Sequence, residues 1–282
     1  MHGSATEGLV VGVVGLGAMG GPIARRLARA GSSVVVADLD GSLVDDCVAA
    51  GATAATDLAD LAARADVLLV VVQTDEAVLE VCTGDDGLFT ACRPGATVLL
   101  CSSIRPDTCA AVAAAAPAGA AVLVAALTGG VRGAEQGTIN LLVGGEPTAL
   151  DRVRPALAPW TASVHHLGPL GAGQVGKTVN NLIHWAQISA ITEALELGRR
   201  LGVDVPTLRR ALMSGPTDSR TLRELEQMRF TWHAKDLANA FAMAAVVDVE
   251  LPVAETSRQV MLRTTPEGVA ELLTAPGADV TP

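Results

Sequence analysis

At 282 residues the chain is long enough for two domains of ordinary size, and with half its residues hydrophobic it falls outside the disordered, collagen-like and disulfide-scaffold classes. Its formal charge of -10 comes from scattered Asp and Glu, no Lys/Arg cluster marks a phosphate track, and base stacking has little to use with no Tyr, three Phe and three Trp, so nucleic acid is not an expected partner. Five cysteines, Cys47, Cys82, Cys92, Cys101 and Cys109, form an odd set without CxxC or Cys/His ligand spacing, which predicts free thiols and no metal site.

The first eight residues carry Glu7 and no apolar run; no secretory leader is visible, and a cytoplasmic location is the expectation. From Leu9 to about Val143 short apolar runs alternate with Ala-rich segments, the pattern of a parallel sheet with helices on both faces. The spacing predicts strands over Leu9–Val14, Ser33–Ala37, Val67–Val72, Thr97–Cys101, Ala121–Ala126 and Ile139–Val143, and a short one at Val164–His166. Helices fall between most of them, as at Met19–Ala30 and Asp75–Val81. Thr108–Val131 lacks charge and is long enough to raise the question of a membrane span, but its Ala-rich first half, Pro117 and Gly119 read as a helix, a turn and a buried strand, so no membrane partner is expected.

After Pro169 no β-rich run appears, and the remainder reads as helices punctuated by Gly and Pro. The expected organisation is an α/β domain over residues 1–167 and an all-helical domain over 168–282. The first helix of the second part could run from near Gly171 to Gly202, roughly 45 Å at 1.5 Å per residue, enough to pass from one domain into the other. Asp204 and Pro206 start the next helix and Gly215-Pro216 ends it.

Val11–Gly20 reads VGVVGLGAMG, which puts Gly15, Gly17 and Gly20 in GxGxxG spacing after a strand and before a helix. That is the dinucleotide fingerprint of a Rossmann domain: a tight turn, a close approach of backbone to the pyrophosphate, and helix packing on the strand, with Leu16, Ala18 and Met19 completing the loop. Asp38 ends the second strand about 20 residues on, where a carboxylate accepts from the ribose hydroxyls and repels a 2′-phosphate. No Lys or Arg follows it closely, so NAD is favoured over NADP.

Gly168–Asn181 reads GPLGAGQVGKTVNN, a glycine-rich lead into a helix that carries Lys177 and Asn181 four residues apart on one face. A lysine held partly desolvated near a cofactor can exchange a proton with an alcohol or carbonyl while the Asn amide fixes the substrate or the lysine; such a pair is also common on solvated helix faces.

With these motifs the chain resembles the β-hydroxyacid dehydrogenase family, the relatives of 3-hydroxyisobutyrate and 6-phosphogluconate dehydrogenases, over nearly its whole length and in the right order. VGVVGLGAMGGPIARRL is similar to the family's cofactor motif, TGGVRGAEQGTINLLVGG at Thr128–Gly145 to its substrate segment, GxGxxxKxxNN at Gly171–Asn181 to its lysine motif, and KDL at Lys235–Leu237 to its C-terminal lysine motif. The resemblance implies a Rossmann domain, a long interdomain helix and an all-α domain, paired into homodimers or homotetramers. It implies Lys177 as general acid/base, Thr128, Gly129 and Gly130 at the carboxylate of a small anionic substrate, and Asn181 at its hydroxyl side. It also implies Ser103 at the nicotinamide ribose and Lys235 at the cofactor or the closed cleft, with Val72 and Gln73 in the family's cofactor-lining turn.

The departures from the family pattern cluster around the substrate. Val124–Thr128 replaces the usual Asp-Ala-Pro-Val-Ser, Val72–Thr74 replaces a Leu-Pro-Asp-like turn, and Arg105 stands where a small residue is common. Arg105 or Arg132 could bind an anion or lie on the surface; His184, seven residues beyond Lys177, could border the pocket or be a partly buried helix histidine; His165 and His166 read as strand-end structure. The expected reaction moves a hydride between NAD(H) and a small 3-hydroxy acid or its semialdehyde. Two alternatives stay open: reduction of another carbonyl or an imine, against which the retained Lys177 argues, and a non-catalytic dinucleotide-binding protein on the same fold.

Overall fold

The computed structural model describes residues 8–279; residues 1–7, on which most of the leader reading rests, lie outside them. The chain divides into two compact units, with the division between Lys177 and Thr178.

Among the described residues the first unit holds eight strands: β1 (Val10–Val14), β2 (Ser33–Ala37), β3 (Thr53–Ala54), β4 (Val67–Val70), β5 (Thr97–Leu100), β6 (Ala121–Thr128), β7 (Ile139–Gly144) and β8 (Thr161–Gly168). They form one sheet in the order β3-β2-β1-β4-β5-β6-β7-β8. Strands β1 to β6 are parallel; β7 runs antiparallel to β6, and β8 parallel to β7. Helices α1 (Gly20–Arg29), α2 (Gly41–Ala49), α3 (Leu58–Arg64), α4 (Asp75–Thr83), α5 (Pro106–Ala115), α6 (Gly130–Gln136) and α7 (Pro147–Leu157) connect them. The order reverses about β1, between β2 and β4, so the switch point of the sheet lies at the glycine fingerprint.

The central strands are apolar throughout because both faces are covered. Val11 and Val13 of β1 join Leu69 and Leu99 in one core, which Ile23 and Leu27 of α1 seal. Val14, Leu68, Val70, Val98 and Leu100 point to the other face, against Leu61, Val78 and Val112. Thr108–Val131 divides into α5, a turn, β6 and the start of α6, as its Ala, Pro and Gly content requires. Among the described residues no helix is long and apolar enough to cross a membrane.

A long helix, α8 (Ala172–Arg200, 29 residues), passes from the first unit into the second. It is followed by α9 (Val205–Leu212), α10 (Arg220–Arg223), α11 (His233–Val246), α12 (Pro252–Met261) and α13 (Pro266–Thr274). Asp204 caps α9 by accepting from the Thr207 amide at 2.9 Å, which fixes the start that the Asp and Pro signalled. Trp185, Ile188 and Leu195 of α8 pack with Leu225, Leu237, Met261 and Val269 in the core of this second unit.

All five cysteines are free thiols, four of them buried. Burial pushes Cys82, Cys101 and Cys109 up to about 12, so they remain protonated at neutral pH and behave as small apolar core residues.

Candidate functional site

The fingerprint glycines sit at the carboxyl end of β1 for separate steric reasons. Gly15 takes φ 87°, and a Cβ there would fall 2.6 Å from the Val71 carbonyl oxygen. A Cβ on Gly20 would overlap the Gly15 carbonyl oxygen, so α1 can start against β1 only with glycine there. Gly17 faces open space, as it must if a ligand's phosphates are to approach the backbone. Gly17 and Ala18 are exposed, Met19 is half-buried, and the Leu16 side chain is core at 1% exposure, so Leu16 can meet a ligand only through its main chain.

Asp38 lies at the end of β2, half-buried, and is built into this loop. Its Oδ2 accepts from the Leu16 amide at 2.5 Å and its Oδ1 from the Asp40 amide at 2.9 Å. The carboxylate therefore braces the glycine loop against the turn after β2 and keeps lone pairs for further donors. Asp40 caps α2, and the Ser42 hydroxyl and amide hold its carboxyl below the ordinary range. Two carboxylates thus stand in the turn after β2, where sequence reasoning had singled out Asp38 alone.

Val72 and Gln73 follow β4, with Val72 half-buried and Gln73 exposed, and Thr74 caps α4. Ser103 follows β5, half-buried, next to Ser102, which is buried. The buried Gln174 of α8 donates from Nε2 to the Ser102 carbonyl at 2.7 Å, fixing the Ser102–Ser103 turn to the start of the long helix. Sequence reasoning passed over Gln174, although it sits in the lysine motif itself.

The same helix places Lys177. Gly173 is where α8 meets the sheet: a Cβ there would fall 2.6 Å from the Leu142 carbonyl oxygen of β7. One turn on, Lys177 is half-buried and its Nζ donates to the Leu127 carbonyl at 2.8 Å, beside Thr128 at the carboxyl end of β6. Lys177 and the Thr128–Gly130 segment are therefore together. Thr128 is buried and its hydroxyl donates to the Asn140 carbonyl at 3.1 Å, so its proton is committed within the sheet. Gly129 and Gly130 follow with φ 114° and 64°, a turn that favours glycine at both positions. Asn181 is buried one turn beyond Lys177, and its Oδ1 accepts from Asn180 Nδ2 at 3.1 Å.

The second unit carries the remaining candidates. Lys235 lies in the first turn of α11, exposed, and belongs to this unit rather than to the one with the glycine loop. Its neighbour Asp236 accepts from Trp185 Nε1 at 3.1 Å. The His184 ring lies 5.0 Å from that of Trp185, tilted by 53°, and its Nδ1 lies 3.2 Å from Thr221 Oγ1. Arg105 is paired with Asp107 at 3.3 Å and Asp75 at 3.8 Å on the surface, and Arg132 is exposed on α6. His165 and His166 lie within β8, exposed, with His166 Nε2 2.8 Å from the Gly145 carbonyl oxygen.

The residues of the first unit share one location. The glycine loop, Asp38, Val72, Ser103 and Thr128 each follow or end a strand at the carboxyl edge of the sheet, which is where open α/β sheets bind ligands. An open glycine, a helix N-terminus and a strand-end carboxylate together fit a dinucleotide.

Residues 10–168 match the family described as the NAD binding domain of 6-phosphogluconate dehydrogenase, and residues 171–273 that described as NAD-binding of NADP-dependent 3-hydroxyisobutyrate dehydrogenase. An NAD-dependent L-serine dehydrogenase of Pseudomonas aeruginosa is 34% identical over 92% of this chain and 88% of its own length. A 2-hydroxy-3-oxopropionate reductase of Escherichia coli is 30% identical over 93% of each chain. Among solved structures, the Mycobacterium tuberculosis 3-hydroxyisobutyrate dehydrogenase with L-serine superposes with a TM-score of 0.80 at 26% identity, over 96% of this chain and 97% of that one. The chain belongs to the 3-hydroxyisobutyrate dehydrogenase-like β-hydroxyacid dehydrogenases, NAD(P)-dependent enzymes acting on CH–OH donors.

Proposed function

We propose that the protein interconverts small 3-hydroxy acids and their semialdehydes with NAD(H), using Lys177 as general acid/base. The observation that carries this reading is the 2.8 Å bond from Lys177 Nζ to the Leu127 carbonyl, which holds the amine at the end of β6 beside Thr128–Gly130. The bound nicotinamide supplies the hydride acceptor or donor. Lys177 takes the carbinol proton as the C–H bond breaks and returns it to the carbonyl oxygen in reduction. The Gly129 and Gly130 amides orient the substrate carboxylate, Thr128 holding the start of their turn through its bond to Asn140, and Asn181 fixes the substrate's hydroxyl side. Gly15–Gly20, Asp38, Val72, Gln73, Ser103 and Lys235 hold the dinucleotide. In this division of labour residues 1–167 bind the cofactor and 168–282 complete the substrate site.

Serine, 3-hydroxyisobutyrate and glycerate, the reduced form of 2-hydroxy-3-oxopropionate, share the frame HOCH2–CHX–COO⁻ and differ only in X. That frame is the proposed substrate class. Incubating the protein with NAD+ and such acids should give NADH absorbance; inactivity with every member of the class would overturn the reading.

The homodimer or homotetramer is likewise a proposal. Val175, Val179, Ile183 and Leu197 form an apolar stripe on α8 at 48–61% exposure, opposite the face that carries Lys177 and Asn181. A second copy of this chain would cover it. Sedimentation should find a species of at least twice the 28.6 kDa chain, and a lone monomer would count against pairing.

A further inference from the structure

We infer that His184 determines substrate specificity by donating a hydrogen bond from Nε2 to an oxygen on X, the substituent beside the carbinol carbon, so that the preferred acids carry a hydroxyl or a second carboxylate there. This inference rests on the proposed placement of substrate at Lys177 and Asn181.

The first support is position. Residues 177, 181 and 184 of one unbroken helix fall within an arc of about 60° at roughly 100° per residue, with Asn181 about 6 Å and His184 about 10.5 Å along the axis from Lys177. Helical side chains lean toward the N-terminus, so the imidazole covers the turn that holds Asn181. A substrate that gives its carbinol oxygen to Lys177 and reaches Asn181 therefore meets His184 next.

The second support is that the ring is held. Its Nδ1 is bonded to Thr221, and its ring lies 5.0 Å from that of Trp185, tilted by 53°; Trp185 itself is buried, anchored by its indole N–H to Asp236 at 3.1 Å, and edge-on to His233 at 6.0 Å.

The third support is the tautomer. Thr221 is 5% exposed, and the hydrogen bond its hydroxyl makes among the described residues is with His184 Nδ1 at 3.2 Å. It is the second residue of α10, so no helical carbonyl lies four residues back to take its proton. Were the hydroxyl to accept from Nδ1–H, its own buried O–H would lack an acceptor. Thr221 therefore donates to Nδ1, and the neutral ring carries its proton on Nε2. A donor in that position selects an oxygen, not an ammonium or a methyl group.

The test compares four acids on the HOCH2–CHX–COO⁻ frame with the full-length protein: glycerate (hydroxyl), 2-(hydroxymethyl)glutarate (second carboxylate), 3-hydroxyisobutyrate (methyl) and serine (ammonium). Steady-state kcat/KM with NAD+ is paired with calorimetric binding of each acid to the NADH complex, which reads the site even without turnover. Glycerate, the glutarate or both should exceed 3-hydroxyisobutyrate and serine by about tenfold, chiefly through KM, and His184→Leu should remove that ratio. Which of the two leads identifies the source of the oxygen.

Two further variants separate recognition from a structural role. His184→Gln keeps an N–H near the Nε2 position and should restore the preference; His184→Asn keeps only the reach to Thr221 and should not. Equal loss on all four acids, rescue by Asn instead of Gln, or a wild-type preference for the methyl or ammonium acid would overturn the inference while leaving the wider reading intact. Failure of all four acids to bind or turn over would overturn both.

Discussion

Lys177→Ala is expected to lower kcat/KM for 3-hydroxy acids by about a thousandfold, within the range usual for loss of a positioned general acid/base, while NADH still binds. The separation is possible because the glycine loop and Asp38 make their contacts without the lysine. Lys177 also donates to the Leu127 carbonyl, so a structural objection must be met. Lys177→Arg meets it, because a guanidinium can keep a donor near that carbonyl but cannot give up its proton at neutral pH. Both variants should show a loss of this order with normal NADH titrations by fluorescence. Near-normal turnover in either would remove Lys177 from the chemistry.

NADPH is expected to bind on the order of a hundredfold more weakly than NADH. A 2′-phosphate would meet the Asp38 carboxylate and, close by, Asp40, whose carboxyl stays ionised through its bonds to Ser42. Like charges repel more strongly beside a protein surface than in bulk water, so both carboxylates act in the same direction, against the 2′-phosphate. Asp38→Asn should cut the ratio to about tenfold, because Asp40 remains, and the double replacement of Asp38 and Asp40 by Asn should bring it near unity. Competitive titration of the two reduced cofactors measures the ratio directly. Equal affinities in the wild type would show that Asp38 braces the loop without selecting the cofactor.

The parts of the site that were legible in the sequence are those whose partners lie close by along the chain. Gly15, Gly17 and Gly20 sit inside one strand–turn–helix unit, and Asp38 follows at the end of the next strand, so spacing alone placed them together. Lys177 was visible as a residue but its position was not: it reaches Leu127, 50 residues earlier, through a sheet register that no local pattern encodes. Gln174 bonds to Ser102 across 72 residues and Trp185 to Asp236 across 51, and both were missed for the same reason.

In the fold, the central strands were read to within two residues because both their faces are buried and apolar. β8 runs over eight residues where Val164–His166 was expected, because an edge strand exposes Ala162, His165, His166 and Leu167 and the apolar signal is diluted. β3 has two residues, both exposed, and left no pattern to read.

The most direct test of the central claim follows the hydride itself. An active 3-hydroxy acid deuterated at its carbinol carbon, incubated with the wild-type protein and NAD+, should place deuterium at C4 of the nicotinamide, seen by mass spectrometry as singly labelled NADH, with a slowed rate relative to the unlabelled acid. Unlabelled NADH, or product formed without reduction of the dinucleotide, would contradict the account.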